Sequence, residues 1–350
     1  MALQSLLCLD VGGGTQDILF WRADRPIENA LKMVLPSPTQ IVAKRIQRAT
    51  RQGRPVFLNG WLMGGGAMAK AARDHVAAGL AFQATARAAA SFHDDPERVR
   101  AMGFTIGARP PAGAARIHAS DLDMKALRAI CLACEIDLPP RLAVALCDHG
   151  FSPRFSNRKF RFAQWERFLA GGGRPLALIG DDPPPSQTRL RAASAQWPGC
   201  LVMDTAAAAL WGALQDPLAA AHAGRGLCLV NLGNEHAVAF LVADGRVWAV
   251  YEHHTGLLTP ALLADHLARF ITGRISDAEV FDGRGHGCAR AAGAPDEPTT
   301  PIFVTGPQRA LARDLGWTVA APHGDVMLSG CFGLLAAAQA LDAQRAAPRS

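Results

Sequence analysis

Tyrosine occurs once in these 350 residues, lysine five times, and aromatic residues together make up 7%. The accompanying excess of alanine and arginine runs evenly along the chain and reads as codon bias of a GC-rich genome. No apolar stretch reaches the roughly eighteen residues that a membrane-spanning helix needs, so no membrane partner is expected. Basic residues form no block. Their densest run, Arg45, Arg48, Arg51 and Arg54, has the spacing of one wetted helix face, and a nucleic-acid partner is not expected either. The eight cysteines sit mostly inside apolar runs such as Leu6-Leu7-Cys8-Leu9, as reduced buried thiols do, and give no disulfide framework. An apolar run begins within five residues of the start, with no charged leader or cleavage site before it. A cytoplasmic location is expected.

Hydrophobic residues make up 49% and charged residues 19%, enough for two cores in a chain of this length. The net charge of +6, thinly spread, gives a positive field that suits an anionic small-molecule substrate. Residues 5 to 11 form an apolar run containing Asp10 near its end. Three glycines follow, then a second apolar run from Ile18 to Trp21, which reads as strand, tight turn, strand. A third strand, Ala30 to Leu35, stops at Pro36-Ser37-Pro38, and Thr39 to Gln52 has helical spacing with Thr39 as its N-cap. Farther on come a strand at Pro55 to Asn59, helices at Ala67 to Ala78 and Met124 to Cys134, and a buried strand at Leu142 to Cys147. Residues 283–301, rich in Gly, Ala and Pro, are expected to be loop. The tail reads as strand, helix, strand and a closing helix from Met327 to about Ala343.

Sliding the chain by 221 residues lays Leu9-Asp10-Val11-Gly12-Gly13-Gly14-Thr15 over Val230-Asn231-Leu232-Gly233-Asn234-Glu235-His236. Each copy is a buried strand, a polar residue, a glycine turn and a second apolar strand. The repeat predicts two similar halves whose turns face each other. Glycines without Cβ atoms let backbone N–H groups approach phosphate oxygens. Thr15 adds a hydroxyl donor, Asp17 a second carboxylate, and Asp10 at the strand end is placed to hold magnesium through water.

These motifs resemble the phosphate loops of the actin, sugar-kinase and heat-shock-chaperone ATPase superfamily. Asp10 to Thr15 is similar to its first loop and Asn231 to His236 to its second. Ile302 to Val304 followed by Thr305-Gly306-Pro307 resembles its adenosine-binding segment, with Gly330 and Gly333 on the closing helix. A closer resemblance is to domain of unknown function 1786, whose members are often labelled pyruvate formate-lyase activating enzymes. It rests on residues 12–19 (GGGTQDIL), 33–39 (MVLPSPT), 148–153 (DHGFSP), 252–256 (EHHTG), 305–307 (TGP) and 322–328 (PHGDVML). The resemblance implies an α/β fold of two pseudo-symmetric actin-like (ribonuclease H-like) domains, with mixed sheets flanked by helices and a cleft between them. The domains are expected at 1–204, with an insertion around 81–140, and at 205–344. It implies ATP and Mg2+ as ligands, with Gly12, Gly13, Gly14, Thr15, Asp17, Asn231, Gly233, Asn234, His236, Thr305, Gly306 and Gly330 around the nucleotide and Asp10 on the metal. Where the superfamily's second loop has Asp and a hydroxyl residue, this chain has Asn231 and His236, which weakens hydrolysis more than binding.

Radical activating enzymes hold an iron–sulfur cluster on Cys-x3-Cys-x2-Cys, and no such run exists here. Cys131 and Cys134, on a helix-like segment, are read as core cysteines, with a zinc site as the alternative. An acid near the γ-phosphate, Asp148, Asp204 or Glu252, would orient a nucleophile. Of eleven histidines, His149, His236, His253, His254, His286 and His323 lie in turn-like segments. The strand-end turns predict that His149 meets His253 or His254 in the cleft, as proton-transfer groups or around a transition metal. His286 lies in a Gly-rich loop, 283–287, expected to be mobile. Residues 157–162 are either a cationic clamp for an anionic substrate or an amphipathic edge strand. The leading function is an ATP-dependent phosphotransferase or ATPase acting on a small acceptor. The alternatives are an ATP-switched activator of a partner enzyme and a non-hydrolysing ligand sensor.

Overall fold

The computed structural model of the chain describes residues 3–347. Strands β1 (Ser5–Val11) and β2 (Thr15–Arg22) form an antiparallel hairpin in which Asp10 pairs with Asp17, and β3 (Leu31–Pro36) adds to β2. The chain then leaves this sheet. Through α1 (Pro38–Arg51), β4 (Val56–Gly60), α2 (Gly66–Ala77), β5 (Phe82–Ala84), α3 (Ala86–Ala89), α4 (Pro96–Ala101), β6 (Thr105–Ile106) and β7 (Ala115–Ala119) it builds an all-parallel sheet in the order β6-β5-β4-β7. That excursion closes around its own core, from Val42 to Ala119, and starts earlier than the expected insertion at 81–140. After α5 (Met124–Ala133) the chain returns as β8 (Leu142–Leu146), parallel to β1. Helix α6 (Asn157–Ala170), β9 (Ile179–Gly180), α7 (Thr188–Gln196) and β10 (Leu201–Met203) complete the first sheet, β3-β2-β1-β8-β10-β9.

Helices α8 (Thr205–Ala213) and α9 (Pro217–His222) lead into the other large sheet. Its strands are β11 (Leu227–Leu232), β12 (His236–Ala243) and β13 (Arg246–His254), then α10 (Pro260–Ile271) and α11 (Asp277–Asp282), then β14 (Gly287–Arg290), β15 (Ile302–Thr305) and β16 (Thr318–Val319). The order is β14-β13-β12-β11-β15-β16, so each large sheet runs hairpin, third antiparallel strand, then a parallel strand on the hairpin's far side. The segment read as loop, 283–301, thus contains a strand, because Gly287–Arg290 pairs with β13. Both faces of the large sheets are covered, which is why β8 (LAVAL) is apolar at every position rather than alternating.

Two local readings change. The cap of α1 is Ser37, whose hydroxyl accepts the Gln40 N–H at 3.5 Å, with Pro38 at the first helical position. Thr39 lies inside the helix, where its hydroxyl accepts from Met68 N–H at 3.0 Å and donates to Gly65 O at 2.7 Å. Residues 157–162 open helix α6 instead of forming an edge strand, with Phe162, Trp165 and Leu169 on its buried face.

Helix α12 (Ser329–Ala346) crosses α8 at a backbone contact. A Cβ on Gly212 would overlap the Ser329 carbonyl, lying 2.6 Å from its carbon, and one on Gly333 would lie 2.6 Å from Gly212 N. Only glycine fits at either position. Among the described residues, no helix is long and apolar enough to cross a membrane.

Candidate functional site

The β1–β2 and β11–β12 turns point into one cavity of about 660 Å³, whose wall also includes Gly64, His93, Asp94 and Arg98 from the parallel sheet's segment. Of the residues expected in the site, Asp10, Gly12, Gly13, Thr15, Asp17, Asp148, His149, Asp204, Asn231, Gly233, Asn234, His236, Gly306 and Gly330 line it. Gly14, Thr305, Glu252 and His253 do not. Thr305 is buried behind the wall, its hydroxyl 2.9 Å from Ser329 Oγ. The two turns touch: a Cβ on Gly13 would lie 2.6 Å from Glu235 Cγ, and one on Gly14 2.6 Å from Asn234 Nδ2.

Beneath the first turn, Asp10 receives the Thr205 hydroxyl at 3.3 Å and is roofed by Gly330, where a Cβ would lie 2.5 Å from the carboxyl carbon. Burial pushes its pKa up to about 7. Asp17, across the hairpin, is pushed up to about 8 by burial and then by the charge of Asp10, and its Oδ1 is buried without a partner. Two desolvated carboxyl groups side by side with an orphaned oxygen form a site that a cation would stabilise.

The other three acids have structural work. Asp148 Oδ1 accepts Gly150 N–H at 2.8 Å, and its Oδ2 accepts the N–H groups of Arg189 and Leu190 at 2.9 and 3.0 Å in the first turn of α7. Asp204 caps α8 through Ala206 N–H at 2.9 Å. Arg161, on α6, donates twice to Asp204 at 2.7 and 3.0 Å, to Glu252 Oε2 at 2.7 Å, and to the Asp148 carbonyl at 3.1 Å. Burial works against ionisation of Asp204, but Arg161 outweighs it and holds its pKa below the usual carboxylate range. The Cys147–Gly150 turn is pinned further by Arg189, which donates to the Cys147 carbonyl at 2.8 Å and bidentately to Asp121.

That turn brings Cys147 and His149 to His236, His254 and His286. His149 Nε2 and His286 Nε2 are 3.0 Å apart, and Cys147 Sγ lies 3.7 Å from His236 Nδ1. His236 Nδ1 is also 3.4 Å from Glu252 Oε1. Burial, then the charge of Arg161, lowers the His149 pKa to about 4, and burial, then His236, lowers His254 to about 4. His149 and His254 each pack against His236 and His286. His253 does not join them: it shares its face of β13 with Tyr251, and its ring nitrogens lie 3.1 Å from His254 O and 3.2 Å from Gly283 O. Strand alternation allowed one of the pair to face the site, and it is His254, alongside Glu252. His286 sits in no mobile loop; it is 1% exposed and its N–H donates to Glu252 O at 2.9 Å. His323 lies elsewhere, packed on Phe332.

Arg189 was not singled out by the sequence, and Arg161 only as one cation of residues 157–162, because the partners that make them organise the site are scattered over positions 121, 148, 204 and 252. Of residues 157–162, Asn157 and Arg161 line the cavity, and Arg161 is fully engaged by its carboxylates and so is no free anion clamp. Cys131 is buried on α5 while Cys134 is exposed, away from this turn.

The profile of the family described as "Putative pyruvate format-lyase activating enzyme (DUF1786)" matches residues 63–311. No curated protein matches the sequence. Among solved structures, the ethanolamine utilization protein EutJ from Carboxydothermus hydrogenoformans is similar at 11% identity, over 95% of this chain and 90% of that one, with a TM-score of 0.32. The Lmo2764 protein from Listeria monocytogenes gives 11%, 97%, 100% and 0.36, and the ROK hexokinase from Thermus thermophilus 13%, 98%, 100% and 0.28. Likeness at this level carries nothing about what the chain binds.

Proposed function

Since the chain belongs to the DUF1786 family, and since its two large sheets aim glycine turns into one cavity, we propose that it binds ATP with Mg2+ and acts as a phosphotransferase or ATPase on a small acceptor. The observation that carries this reading is the pairing of the turns. Gly12 to Thr15 and Gly233 to His236 occupy equivalent places on sheets of like strand order, which supports reading the chain as two pseudo-symmetric halves meeting near residue 204. Gly306 and Gly330 border the same cavity and would flank the nucleoside. Asp10 and Asp17 would hold Mg2+, which neutralises phosphate charge when bound; the orphaned Asp17 oxygen supports that fit. The contact of Glu235 with Gly13 means the turns part before phosphates pass between them.

A second reading has its own support. Asn231 cannot neutralise a metal or take a proton, and Asp148, Asp204 and Glu252 are committed to backbone caps or Arg161. Slow or absent turnover, with nucleotide acting as a switch, follows from that arrangement. Radical activation, by contrast, has no cluster site to work from: among the described residues, no three cysteines come together.

Calorimetric titration with ATP, ADP and GTP, with and without Mg2+, tests the proposal. Binding is expected, with Asp10→Asn removing the Mg2+ dependence more than the affinity for nucleotide alone. No heat for any of the three at millimolar concentration refutes it. ADP formation by the nucleotide-bound protein then separates enzyme from switch.

A further inference from the structure

Four imidazoles and one thiol converge beside the second turn without a structural reason for being there. His236 stands at the centre of two overlapping groups. With Cys147 and His149 its ligand atoms lie within 4.8 Å of one another, and so they do with His254 and His286. Tetrahedral zinc, with Zn–N near 2.05 Å and Zn–S near 2.3 Å, sets ligand separations of about 3.3 Å for N···N and about 3.6 Å for S···N. The 3.0 Å between His149 and His286 and the 3.7 Å between Cys147 and His236 match that spacing.

Hydrogen bonding alone does not satisfy the cluster. His286 is 1% exposed, and its Nδ1 is buried with no partner while its Nε2 meets another imidazole. The surroundings carry one excess negative charge, Arg161 being set against both Asp204 and Glu252. Glu252 Oε1, 3.4 Å from His236 Nδ1, is buried and makes no hydrogen bond of its own, a further unsatisfied acceptor beside these donors. The donors are soft or borderline, four segments supply them (the turn after β8, β12, β13 and the turn before β14), and the turns bearing Cys147, His149 and His286 are pinned in place.

We infer that this cluster binds one divalent transition metal, zinc by its donor set, through Cys147, His236 and two of the neighbouring imidazoles. The site adjoins the cavity of the proposed nucleotide but does not depend on it. It is distinct from the carboxylate pair at Asp10 and Asp17, whose hard oxygens suit Mg2+.

The experiment uses the full chain, nucleotide-free, stripped with EDTA and titrated with Co2+. The expected result is the visible d–d spectrum of tetrahedral cobalt and a thiolate charge-transfer band, both saturating at one equivalent and both abolished by Zn2+. Cys147→Ser should remove the charge-transfer band and keep the d–d bands. His236→Gln should weaken Co2+ binding by on the order of a hundredfold or more. Circular dichroism of each variant establishes that it is folded. A parent protein that gives no cobalt spectrum overturns the inference whatever the variants do. So does a charge-transfer band that survives Cys147→Ser, which would place the metal on other thiols.

Discussion

Alanine at Gly333 would drive a methyl group into the backbone of α8. The new Cβ would lie 2.6 Å from Gly212 N and 2.9 Å from the Ala208 carbonyl carbon, and closer still to the carbonyl oxygen. No rotamer relieves a clash with main chain. Reaching the 3.4 Å lower edge of ordinary contact takes about 0.8 Å of separation to clear Gly212 N and more to clear the Ala208 carbonyl oxygen, which forfeits at least roughly a quarter to a half of the dispersion energy between atoms now touching. Overpacking costs about 1–3 kcal/mol, and an immovable backbone puts this case at the top of that range. Helix propensity opposes it, because alanine is better than glycine in a helix interior by about 1 kcal/mol. The net loss should be about 2 kcal/mol, read as a lower urea midpoint by far-ultraviolet circular dichroism. Gly212→Ala should behave alike. The double variant should lose less than the sum, since the first methyl already parts the helices for the second. A Gly333→Ala protein as stable as its parent, or more stable by the propensity term, would refute the reasoning.

Three further outcomes are expected. Arg161→Met leaves Asp204 and Glu252 buried without their cation and should cost about 3–5 kcal/mol, a deficit that shrinks in acid as Asp204, no longer held ionised by the guanidinium, protonates; urea melts at several pH values read it. Glu235→Ala removes a carboxylate from the Gly13 turn, where repulsion of a phosphate charge is worth about 1 kcal/mol at 4 Å in water, so ATP should bind about fivefold tighter by calorimetry. His75 is buried between Thr50 Oγ1 at 2.8 Å and Ala81 O at 3.2 Å, and burial holds its pKa below the ordinary 6.5. The unfolded chain therefore takes up a proton that the folded one resists: stability is full above 6.5 and falls as pH drops below it. His75→Gln should flatten the decline of Tm between about pH 7 and about pH 5, and an unchanged slope would count against that assignment.

The hairpins and their turns were legible because they are local. Asp10, three glycines and Thr15 carry both the strand ending and the close approach within six residues, and the copy at Asn231 to His236 repeats the pattern. Helix α6 was half-hidden because Phe160 and Phe162 alternate like a strand; only the continuation to Trp165 and Leu169 gives the helical period. Strand β14 was missed because Gly-Cys-Ala-Arg has no apolar pattern of its own and forms by pairing with β13. The acids Asp148, Asp204 and Glu252 were picked by type and position, yet their occupation by helix N–H groups and Arg161 is a matter of tertiary geometry that no spacing encodes. The histidine cluster lay between these cases. Turn positions nominated its members, and strand register chose His254 over His253.

The parallel sheet that interrupts the chain between β3 and β8 has a developmental implication for the family. It folds around a core drawn wholly from residues 42–119, yet it lends Gly64, His93, Asp94 and Arg98 to the cavity and is fastened by Arg189 to Asp121 and by Ser152 N–H to Asp94. The floor of the cavity and one of its walls thus belong to separately packed units. Such an arrangement lets the wall drift, or be exchanged for a homologous cassette, without disturbing the glycine turns below. What that wall recognises can then change independently of the glycine turns, and chimeras joined within residues 36–38 and 120–141 are the natural place to look for it.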